Sequence, residues 1–344
     1  MMRKKFLFRF ILGVAVLVAA VGAWAAMNAT ALQAYWTARQ LRAASSDEDR
    51  SRAADRLAAL GEHGLARLVE FIRAGDEPCR SAAAGAIVRR LESAPGADPW
   101  ALTATERLAG AMGSADAAGQ RAILELLPQL QARCGPAGID RCRGVVAAAL
   151  ASPDPAVRVQ AVRLTLHPDI QMRREAVPLL ADPAAEVRSA ALVATAMPGD
   201  GEPLIAEEDL FRWLHDPDEG VRTICHGALV SRDRTEAEIA LGRRLTDPDP
   251  RERLMLLVDL RHGDVLADPE PWLERLSRDI EPAVRAGAAR VAVEIRGDRR
   301  LGCPAWVDRV ADLDPDPTVR RVAAYFRGLR TDVAAGAIRP AGGP

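Results

Sequence analysis

"LHDPDEGVRTICHGALV", residues 214–230, sets an Asp-Pro turn ahead of a Val-Arg pair and a run of small and apolar residues. The same order returns as "LASPDPAVRVQAVRLTL" at 150–166, "LADPAAEVRSAALVATA" at 180–196 and "LDPDPTVRRVAAYFRGL" at 313–329. An arginine six residues after the turn aspartate marks each copy: Asp182 and Arg188, Asp216 and Arg222, Asp247 and Arg253, Asp314 and Arg320. Asp279 and Arg285 keep the spacing with Ile280 in place of proline, and Ser152 stands where the aspartate would be ahead of Arg158. Extending this ruler upstream through Arg121, Arg80 and Arg50 gives successive gaps of 30, 41, 37, 30, 34, 31, 32 and 35 residues. A recurrence near that length is the mark of stacked supersecondary units.

Each recurring residue has a helical use. Asp or Ser accepts hydrogen bonds from the orphan amides of a helix start, and proline is tolerated in the first turn, where its missing N–H costs nothing. The sequence therefore predicts that the turn residue caps the helix that follows. Val157, Ala161 and Leu164, like Val187, Ala191 and Ala194, fall three or four apart and make one apolar stripe. A second amphipathic run follows in most units, as in "EEDLFRWLHD" and "PWLERLSRD". Each unit then reads as a helical hairpin whose apolar face only its neighbours can cover.

The pattern D-P-x-x-x-V-R-x-x-A, a second helix and another turn resemble the short HEAT-like repeats of the phycobilisome-lyase type and, more loosely, HEAT and armadillo arrays. The resemblance spans about residues 43–330 and is strongest from Leu150 onward. It implies an all-α fold, a right-handed α-solenoid of eight or nine hairpins. It also implies that Arg158, Arg188, Arg222, Arg285 and Arg320 form structural ladders with Asp182, Asp216, Asp247, Asp279 and Asp314 of adjacent units. The Trp and Gly-Tyr pattern of tetratricopeptide repeats and the T-P-L-H of ankyrin repeats are absent.

At the other end, "MMRKKFLFRFILGVAVLVAAVGAWAAMN" places Arg3, Lys4, Lys5 and Arg9 before an apolar run, residues 10–27. Eighteen residues at helical rise cover about 27 Å, near the thickness of a bilayer's hydrocarbon core. The expectation is a basic cytoplasmic segment over 1–9, a transmembrane signal anchor over 10–27, a juxtamembrane helix over 28–42 and a disordered tail over 331–344. The positive-inside bias orients the array outward, as a single-pass protein of the cell inner membrane in contact with the lipid bilayer. Cleavage after Ala23-Trp24-Ala25 is the rival, giving a secreted chain. Six of the 46 basic residues and none of the 47 acidic ones lie in residues 1–42, which leaves 40 against 47 for the body. An acidic body without a basic tract argues against a nucleic-acid partner.

Chemistry is harder to find. The histidines, His63, His167, His215, His226 and His262, are scattered without metal-ligand spacing, and no cofactor is expected. Deoxyhypusine hydroxylases are HEAT-like metalloenzymes with repeated His-Glu pairs, whereas this chain has only the reversed Glu62-His63. No G-x-S-x-G elbow or P-loop appears. The expectation is a non-catalytic scaffold whose partner is another protein. The alternatives are a bilin lyase or lyase subunit, by analogy with the repeat family, and a cytoplasm-facing adaptor.

The candidate binding surface lies on the second helices. Arg244, Arg275 and Arg309 precede apolar residues in successive units, and Trp272 and Trp306 open two of those helices. They form a candidate partner-binding stripe, against which stand local ion pairs with Glu274 and Asp308 and simple burial of the rings. Cys134 and Cys142 flank a Gly- and Pro-rich connection, "RCGPAGIDRC", short enough for a disulfide or for two unpaired thiols.

Overall fold

The computed structural model describes residues 24, 27–93, 96, 98–196, 204–262, 268–298 and 302–334. Among the described residues lie sixteen α-helices and one 3-10 helix, with no strand. The described chain is built of helices joined by turns, and it divides into two compact parts, Met1–Thr195 and Ala196–Pro344.

The first part runs through α1 (Ala29–Ala43), α2 (Asp47–Ala59), α3 (Gly61–Ala74), α4 (Glu77–Glu92), α5 (Pro99–Met112), α6 (Ala117–Leu150), α7 (Pro155–Thr165), a 3-10 helix (Arg173–Ala181) and α8 (Ala185–Ala196). Leu65, Leu68 and Ile72 of α3 stand three and four residues apart and are fully buried with Leu57 and Ile87. The segment 28–42 expected beside a membrane is largely α1, whose Ala34, Ala38 and Leu41 belong to this same core while Tyr35 and Trp36 stay exposed. In α6 the helix breaks at Gly135, which adopts φ 65°, a left-handed conformation that glycine takes without a Cβ penalty; Pro136 then has no N–H to continue the ladder. After α7 the run "RREAVPLLA" folds as the 3-10 helix, with Pro178 inside it.

The second part alternates short and long helices: α9 (Glu207–Trp213), α10 (Glu219–Val230), α11 (Glu236–Leu245), α12 (Pro250–His262), α13 (Glu270–Leu276), α14 (Pro282–Asp298), α15 (Ala305–Leu313) and α16 (Pro317–Ala334). Phe211, Leu229, Leu256, Leu273, Val284 and Val307 fill its interior.

Three expectations change here. The turn aspartate is not the helix cap. Its carboxylate accepts the amide two residues on, at Ala184 from Asp182, Asp218 from Asp216, Asp249 from Asp247, Glu281 from Asp279 and Asp316 from Asp314, over 2.8–2.9 Å. That closes an Asx turn. The cap comes from the next acid: Asp154 and Asp218 accept the amides of Val157 and Val221, and Asp316 those of Thr318 and Val319. At the C-terminus, residues 331–334 continue α16 rather than a disordered tail, and 335–344 lie outside the described residues.

The third correction concerns localisation. Among the described residues no helix is long and apolar enough to cross a membrane, which conflicts with the expected single-pass inner-membrane protein. The expected span over 10–27 lies outside the described residues except Trp24 and Met27.

Candidate functional site

The repeated arginine does two things at once. Nη1 of Arg158 donates to the carbonyls of Ser152 (2.8 Å) and Pro153 (3.1 Å), satisfying the chain just ahead of its own helix. Nε and Nη2 fork onto the carboxylate of Asp182, both at 2.7 Å. Arg253 forks onto Asp279 at 2.7 and 2.9 Å, and Arg285 onto Asp314 at 2.8 and 3.0 Å. These side chains are nearly inaccessible to solvent. Fork-to-fork pairing suits a planar guanidinium and is the strong form of such a bond. Burial alone would raise the Asp182 carboxyl, but the Arg158 fork and the Ala184 amide outweigh it and hold the group below its ordinary value. Asp314, under Arg285 and the Asp316 amide, is lowered in the same way.

In the first part, Arg80 reaches Asp116 at 2.9 and 3.1 Å and also donates to the carbonyls of Ile72 and Gly75. The resemblance names Asp279 as a ladder residue but not its partner Arg253, and it names neither Arg80 nor Asp116. Arg188 and Arg320 make the first kind of contact, to the carbonyls of Asp182 and Pro183 and of Asp314 and Pro315.

The second-helix arginines are each held by acids. Arg244 pairs with Asp259, Arg275 with Glu207 and Glu208, and Arg309 with Glu274. Arg275 also stacks over the Trp272 ring, 5.3 Å from its centroid. Trp272 and Trp306 are 6% and 5% exposed, so their rings are core material, with Trp272 packed 6.0 Å from Phe211. Of the proposed stripe, only the arginines reach the surface.

A groove of about 760 Å³ lies between α10 and α11 in the second part. Leu214, Ile239 and Ala240 give it an apolar floor; Arg222, His226, Arg243 and Asp247 are among its polar walls. His226 Nε2 contacts Glu236 at 3.0 Å across the groove, and His215 Nε2 lies 2.7 Å from the Arg243 carbonyl. No sequence motif marks this place.

Cys134 and Cys142 are buried free thiols, and the Cys134 thiol donates to the Gln131 carbonyl at 3.7 Å. Burial pushes the Cys142 thiol up to about 12, so neither sulfur is a ready thiolate nucleophile. The Cys134 sulfur fills the space a Cβ at Gly138 would need, 2.0 Å from that position, which fixes glycine there. Among the described residues no group of three His, Cys, Asp or Glu side chains is placed to hold a metal ion. Glu62, beside His63, meets Arg107 at 3.3 Å.

No protein-family model matches the chain, and no curated protein does. Among solved structures, the chain is similar to YibA of Escherichia coli, with 16% identity over 83% of this chain and 97% of that one and a TM-score of 0.37. It is also similar to human deoxyhypusine hydroxylase in complex with glycerol, with 18% identity over 79% of this chain and 98% of that one and a TM-score of 0.30. The expectation that the chain is not an enzyme is withdrawn, since deoxyhypusine hydroxylase, an enzyme, is among the similar structures. At these scores neither likeness assigns a reaction to this chain.

Proposed function

We propose that the array is a scaffold that binds another protein along its helices. The observation that carries this reading is a register of exposed apolar side chains that the frame does not use. Val193, Val258 and Tyr325 each stand five residues after their unit's arginine, and Leu166 and Val230 stand eight after theirs; all five are exposed. A repeated apolar position left in water, beside buried ones that complete the core, suits a partner surface rather than the fold. The ion pairs around Arg275 and Arg309 support the same reading, because they hold guanidinium groups in place before any partner arrives and reduce the ordering cost of contact.

The test is site-specific photo-crosslinking in the native cell, with benzoylphenylalanine at Val258 or Tyr325 of the full chain. The expected result is one discrete heavier adduct from both positions, containing the same second protein by mass spectrometry. Adducts to unrelated proteins in proportion to their abundance, or none from either site, would overturn the reading.

A further inference from the structure

One rung of the second part is open. At Arg158, Arg253 and Arg285 the guanidinium is fully used, with Nη1 on two carbonyls and the Nε/Nη2 edge on an aspartate 24, 26 or 29 residues ahead. Arg222 completes the first half, donating to the carbonyls of Asp216 (2.8 Å) and Pro217 (2.9 Å). Its equivalent aspartate, Asp247, stands 25 residues ahead and closes its own Asx turn onto Asp249. Among the described residues, however, neither Arg222 nor Asp247 makes an ion pair. Both line the groove between α10 and α11.

The packing explains why the rung is open. α11 rests on the Phe211 ring through Gly242, where an added Cβ would lie 2.2 Å from that ring. His215 ties the far end of α11 back to the turn after α9 through the Arg243 carbonyl. The contact between His226 and Glu236 bridges the other end of the groove. With α11 held on the α9 side, the space beside α10 stays unfilled.

The charges in that space define what would fill it. Arg244 is taken by Asp259 and Glu236 by His226, which leaves Arg222 and Arg243 against Glu219 and Asp247. Two charges of each sign do not concentrate a free anion or a free cation. An occupant must bring both signs on one surface, together with apolar groups for Leu214, Ile239 and Ala240. An amphipathic helix with an acid and a base one turn apart meets these terms.

We propose that the open rung is a docking site for an amphipathic helix of the partner protein, whose carboxylate takes the free Arg222 edge and whose basic side chain takes Asp247. The partner thus supplies from outside the pairing that other units make internally. This inference rests on the scaffold reading and locates one of its contacts.

The probe is a fluorescein-labelled, amidated Leu/Ala helix of about 18 residues bearing Glu and Arg at i and i+4, titrated with the full chain and read by anisotropy. Replacing the peptide's Glu by Gln is expected to weaken binding about tenfold or more. In the chain carrying Arg222→Glu and Asp247→Arg, a peptide with its two charges exchanged is expected to bind better than the original. No binding of the original peptide, or equal affinity of both peptides for both chains, overturns the site. A double-mutant cycle with Arg222→Gln and Asp247→Asn gives an independent check on the unliganded chain. Additive changes in unfolding midpoint support an open rung, and coupling as large as that between Arg253 and Asp279 overturns it. If crosslinks from Val258 and Tyr325 capture one partner while the peptides show no charge preference, the groove fails and the scaffold stands. If the peptides discriminate while crosslinking captures nothing, the scaffold reading fails and the groove stands.

Discussion

Arg253 with Asp279 and Arg222 with Asp247 are written in the same letters at nearly the same spacing, yet the first pair is closed and dry and the second is apart and faces a groove. The difference lies in the helix between the two halves. Where that helix fills the space beside its predecessor, the fork closes; where Gly242 lets α11 settle onto Phe211, the fork is left open. A repeat signature therefore specifies which groups are available for pairing, and the packing between them decides whether they meet.

The largest effect expected from this contrast is at the closed rung. Arg253→Ala leaves the buried Asp279 carboxylate without its counter-charge and the Asp247 and Pro248 carbonyls without their donor. Breaking such a pair from one side costs about 3 to 5 kcal/mol, read as a lower urea midpoint at unchanged slope. A loss below about 1 kcal/mol would mean that solvent replaces the arginine and that the rung is not a structural tie.

A pH titration sharpens the comparison. Asp182 and Asp314 have carboxyls lowered from 3.8, so their contribution to stability is complete above that value. It is lost as pH falls further, because the unfolded chain binds the proton first and the folded chain only at a lower pH. Asp314→Asn is expected to flatten the dependence of stability on pH below about 4, measured by urea unfolding at successive pH values. A slope identical to that of the parent chain would show that Asp314 titrates alike in both states.

The smallest effect is expected at the open rung. Arg222→Ala loses two carbonyl contacts but no ion pair, and about 1 kcal/mol or less per hydrogen bond sets its scale. A midpoint drop as large as that of Arg253→Ala would erase the distinction between the two rungs.

Much of the fold is legible because the D-P-x-x-x-x-R spacing forces a turn, a helix and a charge into a fixed relation in the units that begin at Asp182, Asp216, Asp247 and Asp314. The division of labour inside the turn is not legible, since Asp216 and Asp218 both stand where a cap could be, and only the backbone path makes the second the cap and the first an Asx turn. In the first part the signal weakens because Arg80 takes its acid from Asp116, 36 residues on, across longer helices. The open groove leaves no trace in the sequence, because Arg222 and Asp247 are both present and it is their separation that makes the site. Trp272 and Trp306 illustrate the converse: residues common at interfaces are here spent on the core.

The Asx turn and the fork together have a bearing on how such a chain can change length. Each rung is inherited in halves, the arginine from one unit and the aspartate from the next, and each half is also satisfied by its own local backbone. Duplication or excision of one whole period returns an arginine to an aspartate already shaped to receive it. A cut that removes part of a period strands a buried charge. The constancy of the spacing inside each unit has, on this account, an electrostatic origin.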